Sequence, residues 1–267
     1  MNRYKRSLVV AVILQCWAIA ASAQPNISRD TTHYNDEELY SDDAMSSAPA
    51  YSWLGAGVLV GLHLPSLTDL NSSIAMPFIH QNLKEQAFMI GGQVFMPFPF
   101  VKNLRIGGIG MSGTSSVCCV PDSVQGQPVM RSLTYHFGYG ALTFDYAIFN
   151  SNKVHVLLGS EFGLGSVELT AQQALNRQKF DITSEFSTTT FNITHTYHAP
   201  MFVIKPEAEF EYAPVRWLML RLTAGYQISA MGTWVADDDV SLGDVGALAK
   251  VNANGPVVQF GVFLGFF

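Results

Sequence analysis

Eight stretches of this chain alternate apolar residues with small or polar ones at a period of two, and the last of them ends on Phe267. That period belongs to β-structure, because successive side chains of a strand point to opposite faces. The stretches fall near residues 51–65, 86–98, 102–114, 131–149, 153–169, 198–212, 216–230 and 256–267. Three of the gaps are tight: Pro99-Phe100-Val101, Asn150-Ser151-Asn152 and Ala213-Pro214-Val215. The intervening gaps are long, roughly 16 to 28 residues. Short turns at one end and long connections at the other describe an antiparallel sheet that runs up and down and closes on itself.

The purity of the two faces decides what surrounds such a sheet. In the seventh stretch Leu218, Leu220, Leu222, Ala224, Tyr226 and Ile228 oppose Met219, Arg221, Thr223, Gly225, Gln227 and Ser229. In the sixth, Phe202, Ile204, Ala208, Phe210 and Tyr212 oppose Lys205, Glu207, Glu209 and Glu211. In the last, Val258, Phe260, Val262, Leu264 and Phe266 oppose Gln259, Gly261, Phe263 and Gly265. A water-soluble sandwich turns charge outward and oil inward. Here glycine and charge share a face that suits a cramped lumen, and the apolar face suits lipid. Composition agrees: 48% of residues are hydrophobic and 13% charged, where about 25% charged is ordinary.

The beginning of the chain reads as an export leader over residues 1–23. Arg3, Lys5 and Arg6 precede the apolar run Ser7 to Ala20, and Ala21-Ser22-Ala23 supplies small residues for cleavage. Residues 24–50, with Asp30, Asp36, Glu37, Glu38, Asp42 and Asp43, read as a flexible acidic lead-in. The barrel domain then occupies 51–267. Losing three basic residues with the leader takes the formal charge from −6 to −9, which argues against a nucleic-acid partner. After cleavage only Cys118 and Cys119 remain, which cannot staple a domain of this size; a vicinal disulfide is the pairing open to them.

In strand count, loop alternation and the terminal Phe267, the stretch from Tyr51 onward resembles the small eight-stranded outer-membrane barrels, the group that includes the transmembrane domain of OmpA. Those families place further apolar residues at alternate positions counted back from the end. Here that set is Gly265, Phe263, Gly261 and Gln259, and the cleaner apolar face is one residue out of step. The resemblance implies an all-β fold: an eight-stranded antiparallel up-and-down transmembrane β-barrel in a bacterial outer membrane, with both termini periplasmic. It implies outer-membrane lipid, lipopolysaccharide and the barrel-assembly machinery as partners. It implies no single activity, since such barrels include anchors, adhesins, narrow channels and a few lipid-modifying enzymes.

The inward charges are the most specific candidate site. Lys205, Glu207, Glu209 and Glu211 are spaced two apart, so they climb one wall in steps of roughly 6.6 Å. Pairing Tyr212 with Arg216 across the turn sets Glu207 opposite Arg221, which is then expected to neutralise the ladder with Lys205 assisting. Arg105, Asp145, His155 and Glu161 are expected to extend this network. Tyr51, Trp53, Phe98, Tyr146, Phe149, Tyr212, Trp217, Phe266 and Phe267 gather at the short-turn end and read as a periplasmic aromatic girdle.

Other motifs carry less. Gly108-Ile109-Gly110-Met111-Ser112-Gly113 has the spacing of a phosphate loop without the following helix it requires. Asp237-Asp238-Asp239 and Asp244 read as a solvated loop tip. His195, His198, Ser184 and Glu185 have no spacing that selects them for hydrolysis. The expectation is a non-enzymatic barrel without metal or cofactor, its lumen plugged by charge, its four long loops meeting a partner outside. A narrow cation or proton channel is the alternative, and a lipid enzyme at the rim the third reading.

Overall fold

The computed structural model of the chain describes residues 53–124, 126–175, 193–236, 248 and 251–267. The leader, the acidic lead-in, Tyr51, Ser184, Glu185 and the Asp237–Asp244 cluster lie outside the described residues. The strands are β1 (Leu54–His63), β2 (Ala87–Pro97), β3 (Leu104–Val124), β4 (Gln127–Asn150), β5 (Val154–Leu175), β6 (Ile193–Val215), β7 (Leu218–Met231), β8 (Val235–Ala236) and β9 (Gly255–Phe266). β1 to β7 pair in sequence, all antiparallel, and β9 joins β7 to β1. Eight strands therefore close the expected barrel, and the short β8 lies beside β6. The three tight turns and both ends of the barrel sequence share one end of it, the turn end; the opposite end is the loop end.

Closure fixes the faces. Along most of the barrel wall the ladders pair odd-numbered residues with odd, as in Leu59↔Gly91, Met111↔Tyr139, Glu161↔Lys205 and Leu59↔Gly261; the parity changes past register shifts at Val117, Ala147 and Tyr212. The odd rows are enclosed: Leu59, Met89, Tyr139, Leu157, Val203 and Phe263 are all buried. The even rows face out, with Val58 64%, Leu142 61% and Leu164 71% exposed. An apolar surface this continuous, wrapped around a ring of charge and glycine, is a surface for lipid.

Four strands outgrow the membrane. Crossing takes about 9–11 residues, whereas β3, β4, β5 and β6 have 21, 24, 22 and 23. Their outward residues change character on the way, from Phe144, Leu142, Leu164 and Phe202 to Thr134, His136, Glu168, Gln172 and Thr194. The long third-to-fourth gap is thus not a loop. It continues as a hairpin that turns at Gly126, whose φ of 79° suits glycine. Cys118 and Cys119 form a vicinal disulfide at a bulge between Val117↔Leu133 and Val120↔Arg131. The extra residue restores inward facing beyond the bulge.

The first connection also has structure. Helical segments Thr68–Leu70, Asn71–Ala75 and Met76–Ile79 follow one another and stop at His80, in the left-handed region. Leu67, Leu70, Ala75, Ile79 and Leu83 are buried in one cluster with lumen residues Tyr135, Phe137, Val167 and Met201. Asn71 fastens this cap, donating to the Leu83 carbonyl at 3.1 Å and accepting from its N–H at 2.8 Å. Arg131 on the hairpin donates to the Phe78 carbonyl at 2.8 Å. With Trp234, Leu248 and Val251, these residues make an apolar lid over the loop end.

Candidate functional site in the barrel lumen

β6 turns Lys205, Glu207, Glu209 and Glu211 inward because they occupy its odd row, and all four are buried. Register supplies their neighbours. On β5, Glu161 lies beside Lys205, Gly159 beside Glu207 and His155 beside Glu211. On β7, Thr223 lies beside Glu209 and Arg221 beside Glu211. Arg105 and Asp145 pair across β3 and β4.

Two charge sets result. Towards the turn end, Arg105 donates through Nε to Asp145 Oδ2 at 2.9 Å and through Nη1 to Glu211 Oε1 at 2.5 Å, and Nη2 also bonds Glu209. Arg221 donates through Nε to Glu211 Oε1 at 2.9 Å and through Nη1 to Gln93 Oε1 at 2.5 Å. Both guanidiniums flank the Phe95 ring, at 4.4 and 4.6 Å, and Arg221 also lies 4.2 Å from the Phe263 centroid. In the second set, Lys205 Nζ lies 2.7 Å from Glu161 and 3.1 Å from Glu207, and donates to Gln259 Oε1 at 3.1 Å. Tyr139 donates to Glu161 Oε2 at 3.1 Å.

These contacts span the barrel. Arg105 reaches from β3 to β6, and Arg221 from β7 to β2 on the far wall. Arginine suits this task, since its planar fork holds several acceptors at once. A lumen enclosed by eight strands is just wide enough to be filled by its own side chains.

The expected pairing of Arg221 with Glu207 is corrected. β6 does not stop before Ala213: it runs to Val215, with a register shift between Tyr212 and Val215, and only Arg216-Trp217 separate it from β7. Tyr212 therefore pairs with Leu220, Arg221 moves to Glu211, and Glu207 falls to Lys205. His155 is buried beside Glu211, but its ring stacks on Trp53 at 3.7 Å and its Nε2 bonds the Ser151 carbonyl at 2.8 Å.

The girdle divides by face. Tyr146, Phe149, Tyr212, Trp217 and Phe266 are exposed on the outside near the turn end. Phe98 is half-buried, edge-on to Phe100, a ring that is 86% exposed and belongs to the same belt. Trp53 does not join them. It is 6% exposed, lies in the odd row, and with Phe267 edge-on at 5.5 Å plugs the turn end from within.

Gln93, Thr143, Gln259, Tyr139, Phe95 and Phe263 belong to the lumen site, although no charge or motif singles them out. Their odd numbers on the eight strands are the signal that could have found them. At the rim, His195 and His198 are exposed on β6 beyond the apolar belt. Ser112 Oγ lies 2.9 Å from His136 Nε2 there, but Glu168, opposite His136, accepts from Thr170 at 3.2 Å. Among the described residues no carboxylate bonds that imidazole, as a catalytic triad would require.

No family model matches the chain, and no curated protein matches it. Among solved structures, it is similar to a major outer membrane protein from Thermus thermophilus, at 12% identity and TM-score 0.45, covering 81% of this chain and 100% of that one. It is also similar to Ail, the attachment invasion locus protein of Yersinia pestis, in complex with the heparin analogue sucrose octasulfate, at 11% identity and TM-score 0.34, covering 80% and 96%. CarO2 of Acinetobacter baumannii matches at 10% identity and TM-score 0.34, covering 80% and 99%.

Proposed function

We propose that the chain is a closed barrel of the bacterial outer membrane, turn end in the periplasm, that holds a surface-interaction platform above the lipid. The observation that carries this reading is the set of buried ion pairs inside the barrel. Ion pairs cross it through the membrane, Trp53 and Phe267 fill its turn end, and the apolar lid built on Leu67, Leu70, Ile79 and Leu83 covers its loop end. Ions crossing such a lumen would have to break charge-assisted bonds that are strong where water is scarce. What remains to do work is outside: the β3–β4 hairpin and the tall β5–β6 walls, with polar outward faces suited to a protein or glycan partner. Lipid and lipopolysaccharide surround the belt, and the barrel-assembly machinery inserts it. The role is non-enzymatic.

Planar-bilayer recording tests this directly. The purified barrel is expected to give no conductance steps above the bare membrane at any polarity. Steady cation-selective openings that disappear in Glu209→Gln would replace the closed platform with a narrow channel.

A further inference from the structure

Charge in the lumen does not balance. Arg105, Lys205 and Arg221 face five carboxylates, Asp145, Glu161, Glu207, Glu209 and Glu211, and all eight side chains are buried. The surplus is evenly divided. Asp145, Glu209 and Glu211 share two arginines, and Glu161 and Glu207 share one lysine, so each set carries one negative charge too many. Buried charge without a partner is costly.

The two sets meet at Asp145 and Glu207. Gly159 stands between them on β5, paired with Asp145 on one side and Glu207 on the other. A Cβ at that position would collide with Asp145 Oδ1, so the glycine is what lets the carboxylates converge. One oxygen each from Asp145, Glu207 and Glu209 lies within 4.8 Å of the other two. The Glu207 side chain is 1% exposed and neither of its oxygens receives a hydrogen bond; Lys205 approaches Oε2 alone. Asp145 Oδ1 is likewise buried without a donor.

We propose that this junction is a site for one divalent cation, held by Asp145, Glu207 and Glu209, whose two charges cancel the surplus of both sets. Calcium is the member of that class the surroundings favour: it accepts irregular oxygen shells, whereas Mg2+ demands a near-ideal octahedron and dehydrates reluctantly, so it is seldom held in a dry, all-protein cage. The other Glu207 oxygen and water complete the calcium shell, since Arg105 already holds Asp145 Oδ2 and Glu209 Oε2. The ion ties β4 to β6 over β5, a link that the hydrogen-bond ladders do not make.

The inference stands apart from the closed-lumen reading, since metal content decides one and conductance the other. The test uses the full barrel refolded in detergent with CaCl2, with MgCl2 or with a chelator. Elemental analysis after desalting is expected to find one calcium per chain. The thermal midpoint should rise in calcium over chelator, and magnesium should restore much less of that rise. Gly159→Ala and Glu207→Gln should each abolish the calcium-dependent rise, and chelated Glu207→Gln should melt no lower than the chelated parent. A metal-free chain whose melting ignores calcium would overturn the proposal and assign the surplus to protons. So would a folded Glu207→Gln that still carries a full equivalent of calcium. Should a variant fail to fold, the comparison on the unaltered chain decides.

Discussion

Arg221 shows how much can hang on one lumen side chain. Its guanidinium is buried, holds Glu211 and Gln93 and lies against Phe95 and Phe263. Arg221→Ala removes one partner of a buried pair and strands the other, a change that costs about 3–5 kcal/mol. Denaturant titration in lipid vesicles should show that loss, and a midpoint close to the parent's would mean the pair is wet. That arginine meets these acids was legible from parity; which acid it meets was not. Pro214 invites a turn at Ala213-Pro214-Val215, yet the strand carries on through a register shift and moves Arg221 from Glu207 to Glu211. Trp53 misleads for a related reason. Its place near the membrane edge suggests the girdle, but its odd number assigns it to the lumen, and face outranks height in a strand.

Among the elements, the lipid-facing spans were the most readable and the strand extensions the least. Within the membrane one face must be apolar, so Leu218 to Ile228 declares itself by alternation. Above the membrane both faces are free to be polar, and Thr114 to Gln127 therefore shows no such pattern, although most of it is strand. The bulge at Cys118-Cys119 breaks the period further. The same boundary predicts a contrast between two charge insertions. Leu222→Arg, in the middle of the belt, should cost about 2–4 kcal/mol, and Thr134→Arg, on the outward face above it, about 0–1 kcal/mol. Equal costs at the two sites, measured by unfolding from vesicles, would misplace the membrane edge.

At the scale of the whole molecule, one rule connects sequence, fold and function: between the register shifts, even residues meet lipid and odd residues fill the lumen. The rule sets the charged rows against one another, gives the proposed calcium cradle its walls and, among the described residues, leaves the loop end free of lipid for a partner. Parity could be read from the chain because the closed eight-stranded wall keeps odd beside odd until a ladder slips, past Val117, Ala147 and Tyr212. The lid could not, because Leu67, Leu70, Ile79 and Leu83 are buried by a helix that closes on the barrel mouth rather than by strand alternation. The most direct test places nitroxide labels one at a time on adjacent residues of a Cys118→Ser, Cys119→Ser barrel in vesicles: Leu142 and Thr143, Leu222 and Thr223, Phe260 and Gln259. Labels at Leu142, Leu222 and Phe260 should collide freely with dissolved oxygen and not with a water-soluble nickel chelate, whereas their odd neighbours should be immobile and shielded from both. Oxygen access at the odd positions, or chelate access at the even ones, would contradict the barrel described here.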